Sequence, residues 1–202
     1  MSLKTFFDNV IDNNVDAVQS YLYQNPGNKG AKQLSIVYAA AIGNSEMVKA
    51  LLDHGINVNS MDVLTRFQRT WESSRLKRFQ RLMEYTMSPF TRGWSPVLTP
   101  ACVAAFYGHK NVLSVLCKHD FGCMSFNPYL SINSAFIGEG PPPSWNAATC
   151  ALFGKKWDIA SSLVDRGVKT TDMEEQYPLF LEFRTGVKIP KDAIDIVFSF
   201  LG

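Results

Sequence analysis

The chain of 202 residues is 46% hydrophobic and 19% charged, with a formal net charge of +2, which is enough apolar material to fold around its own core. No apolar run approaches the roughly 18 residues that cross a bilayer, and four cysteines are too few to staple a secreted scaffold. The opening M-S-L-K-T-F-F-D-N-V-I-D-N-N meets acid and amide too early for a secretory leader, so the expectation is a soluble cytoplasmic protein with reduced thiols.

Taken in order, the chain is a succession of short helix pairs. Phe6, Phe7, Val10 and Ile11, then Val15, Val18, Tyr21 and Leu22, fall at helical spacing and predict an atypical first pair. Leu34 to Gly43, L-S-I-V-Y-A-A-A-I-G, opens a second. It continues through Met47, Val48, Leu51 and Leu52 into D-H-G-I-N-V-N from Asp53 to Asn59. The clearest unit is Thr99 to His109, T-P-A-C-V-A-A-F-Y-G-H. There Thr99 suits an N-cap and Pro100 the first helical position. Ala101, Ala104 and Ala105 make a small face for close packing, and Gly108 closes the helix, since a left-handed residue costs least as glycine. Val112, Leu113, Val115 and Leu116 give the second helix of that pair.

These two stretches resemble ankyrin repeats, whose signature is T-P-L-H-x-A-A, a glycine, a V-x-x-L-L helix and a G-A-D-V-N-type loop. The Thr99 unit matches the first half and the Leu34 unit the second. The resemblance extends along the chain by spacing. Asn146 to Gly167 aligns end to end with Leu34 to Gly55, except that Gly154 comes one position early, so its first turn is expected to be remodelled. Tyr177 to Gly186 opens a further unit, and an apolar stretch from Ala193 to Leu201 ends the chain. Gly43 and Gly108 are 65 residues apart, about two periods of ~33, which predicts a degenerate unit between them. Its bulky Phe67 and Trp71 are expected to widen the stack. The resemblance thus implies an all-α ankyrin-repeat solenoid of stacked helix-turn-helix pairs with short β-hairpin or loop fingers, in a single domain over 1–202. The expected units run over 1–33, 34–66, 67–98, 99–145, 146–176 and 177–202. A surplus of about 13 residues falls in Ser125 to Ser144 as one long finger insertion.

For function, no phosphate loop, dinucleotide fingerprint or H-E-x-x-H is present. Cys102, His109, Cys117, His119, Cys123 and Cys150 lack common zinc spacing; Cys102 and Cys117 fall where the family buries a side chain, so cysteine is read as a small hydrophobe. A Cys–His hydrolase finds no nucleophile context. No catalytic residue, metal or cofactor is expected. The degenerate unit is more informative. From Arg66 to Arg92 seven basic residues face two acidic ones, a charge of +5 that leaves −3 for the remainder. Arg75, Arg78 and Arg81 occupy one helical face opposite Leu76, Phe79 and Met83. They read as a solvated face or as a patch for an acidic protein partner, for anionic membrane or for nucleic acid; missing aromatic interleaving disfavours nucleic acid. The finger offers Phe126, Tyr129, Phe136 and Trp145, either aromatic anchors for a partner or a cover folded on the stack. Resemblance to the family implies a non-catalytic, monomeric scaffold that binds a partner protein through its concave finger and first-helix surface. Delivery into a host cytosol as a bacterial effector is left open, as is a basic adaptor acting through Arg66–Arg92.

Overall fold

The computed structural model describes residues 3–25, 29–59, 62–63, 97–125 and 146–169, and the fold is given for these. It is mostly helical. Helices α1 (Leu3–Ile11) and α2 (Val15–Gln24) form the first pair, α3 (Lys29–Ala41) and α4 (Ser45–Asp53) the second. The third is α5 (Pro100–Tyr107) with α6 (Lys110–His119), followed by a 3-10 turn over Phe121–Met124. The fourth is α7 (Ala147–Phe153) with α8 (Trp157–Asp165). One two-residue antiparallel strand pair joins β1 (Asp62–Val63) to β2 (Val97–Leu98), with Asp62 opposite Leu98 and Val63 opposite Val97.

The local chemistry explains these boundaries. Asn14, Asn44, Thr99 and Asn146 each cap a helix, their side-chain oxygens accepting from the backbone N–H three residues on at 3.0–3.2 Å. Pro100 occupies the first turn of α5, and Gly108 ends it with φ +89° while its N–H donates to the Ala104 and Ala105 carbonyls. The same left-handed turn recurs between the two helices of every pair. It is carried by Asn13 (φ 57°), Gly43 (φ 81°), Gly108 (φ 89°) and Lys155 (φ 54°). Lys155 stands where the sequence alignment wants glycine, because Gly154 has been spent elsewhere. Gly154 has an ordinary φ of −73° and lies against the Phe106 backbone, so the early glycine permits close approach and the turn passes to the next residue. The expected remodelling is found in this form.

First helices stack on first helices, α1 on α3, α3 on α5 and α5 on α7; second helices follow, α2 on α4 and α4 on α6. The core is continuous through the stack. It runs from Phe6, Phe7 and Tyr21 through Ile36, Met47 and Leu51 to Val103, Leu116, Leu152 and Ile159. Alanines at Ala39, Ala40, Ala104, Ala105, Ala148 and Ala151 are fully buried; small side chains here let helix backbones close on one another.

The second and third pairs are in direct contact through α3 with α5 and α4 with α6, and the His109 imidazole Nε2 lies 2.9 Å from the Ala41 carbonyl oxygen. Among the described residues no helix pair is interposed between them; Phe67 and Trp71 of unit 67–98 lie outside the described residues. The 65-residue interval is about one period of ~33 plus the segment 64–96, whose length is itself close to one repeat. The rest of that unit, the finger beyond Ser125, and unit 177–202 lie outside the described residues.

Candidate functional site

The turns between paired helices line up a column of polar side chains. Each left-handed residue is followed by the N-cap of a second helix, in order Asn14, Asn44, His109 and Lys156. Asn44 Nδ2 donates to Asn13 Oδ1 at 2.6 Å, tying the second pair to the first. His109 reaches back to the Ala41 carbonyl and crosses above Gly43, where a Cβ would meet its ring at 2.7 Å. The aliphatic stem of Lys156 covers Gly108 in the same way, 3.0 Å from where a Cβ would lie. Beside the column sit Tyr107, stacked on His109 with centroids 6.1 Å apart, and Phe106 edge-on to Tyr107 at 5.1 Å. Ile42 is exposed at the equivalent end of α3. Aromatic and aliphatic surface beside fixed polar groups is suited to macromolecular contact.

The cysteines behave as packing residues. Cys102, Cys123 and Cys150 are buried and Cys117 is partly so, all as free thiols. Burial pushes the Cys123 thiol up to about 12, raises Cys117, and raises Cys150 well above the usual thiol value. A hydrogen bond from Cys150 holds the Cys102 thiol below its ordinary range in spite of burial. Among the described residues, no group of three or more His, Cys, Asp or Glu is arranged to hold a metal ion, and no helix is long and apolar enough to cross a membrane.

All seven residues that the sequence marks for partner binding, Arg75, Arg78, Arg81, Phe126, Tyr129, Phe136 and Trp145, lie outside the described residues. The polar column is marked in the sequence analysis only by its glycines. Its signal was available in the residue that follows each left-handed turn, which is asparagine, asparagine, histidine and lysine in turn.

Helix pairs that stack first helix on first helix, each closed by a left-handed turn and a polar N-cap, define a helical repeat scaffold. The ankyrin-repeat family model matches residues 35–63, the second pair with its following loop and β1, and this supports the ankyrin resemblance of the chain. No curated protein and no solved structure gives a match.

Proposed function

We propose that the protein is an interaction module that binds a partner protein through the surface formed by its fingers and first helices. The observation that carries this reading is the ankyrin match on a chain whose described helix pairs stack directly on one another, since ankyrin repeats are generally protein–protein interaction modules and typically non-catalytic. In this reading Phe126, Tyr129, Phe136 and Trp145 supply apolar anchors on the finger, and Arg75, Arg78 and Arg81 supply charge for an acidic partner. The protein acts as a monomer in the cytoplasm, or in a host cytosol if it is a delivered effector, and requires no cofactor. Recovery of a discrete partner from cytosol, with binding lost in Tyr129→Ala/Phe136→Ala, tests it; recovery undiminished by those changes overturns the finger assignment.

A second reading rests on the charge of +5 between Arg66 and Arg92. There the protein is an adaptor that docks on anionic membrane or nucleic acid. Its mark is association that falls steeply with salt, measured with vesicles of anionic lipid and with a nucleic-acid duplex against the same partner capture.

A further inference from the structure

Helices α5 and α7 pack closely, as do α2 with α4 and α4 with α6, and between α6 and α8 lies a groove of about 510 Å³. Leu113, Ile159 and Leu163 form its floor, each no more than 6% exposed. Its rim carries Lys110, Lys118 and Arg166 against the single carboxylate of Asp158, a net charge of +2.

These charges are not equivalent. Lys110 and Asp158 pair across one end of the groove, and the hydrogen bond from Lys110 holds the Asp158 carboxyl below its usual range, so both are committed to each other. At the other end the Arg166 guanidinium lies 4.4 Å above the Phe121 ring, with Nη1 3.7 Å from the Cys117 sulfur. Those contacts fix the guanidinium without neutralising it, and among the described residues neither Arg166 nor Lys118 has a carboxylate within ion-pair distance. The nearest acids in sequence are otherwise engaged. Asp120 accepts from the Gly122 N–H at 2.8 Å, and Asp165 faces the Ser161 hydroxyl at 3.5 Å. A guanidinium held in place loses less freedom on binding a carboxylate than a mobile one.

We propose that the groove between α6 and α8 is a docking surface for an acidic segment of a partner protein. Carboxylates of the segment meet Lys118 and Arg166, and an apolar side chain rests on the floor between Leu113 and Leu163. The surface is separate from the fingers and first helices, so it stands or falls independently of the function proposed above. Lys110 and Lys118 are eight helical steps apart on α6, roughly 12 Å at the helical rise; this is the reach of a short peptide and exceeds that of a single small anion.

The test uses the whole chain and a displayed library of random 12-residue peptides. Selected peptides are synthesised, and their affinity is read by fluorescence anisotropy against wild type, Lys118→Glu/Arg166→Glu and Arg166→Lys. Both side chains lie on the rim, and a thermal melt checks that the variants remain folded. The proposal expects peptides rich in Asp and Glu with a leucine or phenylalanine, weakened at least tenfold by the double charge reversal and measurably by Arg166→Lys, which removes the planar fork. It is overturned by a selection without acidic peptides, or by acidic peptides that bind the reversed variant equally well, which assigns them to another basic stretch such as Arg66–Arg92. Self-association of wild type that the double variant abolishes makes a second copy the occupant and also overturns it.

Discussion

Gly154 is packed so tightly on Phe106 that a Cβ there would collide with the Phe106 carbonyl oxygen and lie 2.9 Å from its carbon. Backbone is in the way and cannot rotate aside, unlike the Lys156 stem that covers Gly108. Gly154→Ala should therefore cost about 3 kcal/mol, lowering Tm by roughly 10 °C. Lys155, which carries the left-handed turn in its stead at φ 54°, predicts the opposite sign: Lys155→Gly should gain about 1 kcal/mol by removing the Cβ penalty of that conformation. Thermal melts of the two variants against wild type would show shifts in opposite directions, and a harmless alanine at 154 would contradict the close contact between α5 and α7.

The strand pair Asp62–Leu98 and Val63–Val97 makes a neck across which the chain can be cut short. Replacing residues 64–96 by the two-residue turn Asn-Gly, which favours the tight hairpin geometry, would reduce the Gly43–Gly108 spacing from 65 to 34 residues, about one ankyrin period of ~33. The shortened protein should fold cooperatively with unchanged helical signal per described pair. Collapse of the circular-dichroism spectrum would mean that the excised segment is a rung of the stack after all.

Ala105 is fully buried on α5, which packs against both α3 and α7. Ala105→Leu should overpack that layer at a cost of roughly 1–3 kcal/mol. Equilibrium urea unfolding measures it, and a midpoint unchanged from wild type would remove the close helix contact from the best-matched unit.

Cys123 predicts an alkaline limit. Its folded thiol is raised to about 12 from an ordinary 9.0, because burial disfavours the thiolate. The unfolded chain then gives up the proton first, so this contribution to stability is complete below pH 9 and is lost as pH rises from about 9 towards 12. Comparing wild type with Cys123→Ala over that window should show a shallower fall in the variant. Parallel curves would place the thiol in contact with solvent.

The third pair was legible because its determinants are local. Thr99, Pro100, two alanines and Gly108 each settle a backbone question within four residues of themselves. The remodelled turn at Gly154 was legible as a misfit of one position, although only the proximity of Phe106 explains why a glycine is placed there. The relation between the second and third pairs was not. A segment of 33 residues between β1 and β2 has the length of a repeat, and whether a length is a layer or an excursion depends on which helices touch. The groove was illegible for the same reason: Lys110 and Asp158 are 48 residues apart, and neither carries a mark of the other. The finger and basic residues remain as proposals.

The Gly154 contact bears on which changes the scaffold tolerates. On the first-helix side the third and fourth pairs meet backbone on backbone, with no room for a side chain at 154. On the second-helix side the same pairs meet through long side chains, Lys110 with Asp158 and Arg166 with Phe121. Exposed side chains of that kind are exchanged at small cost, so one side of this junction is open to sequence change and the other is closed to it.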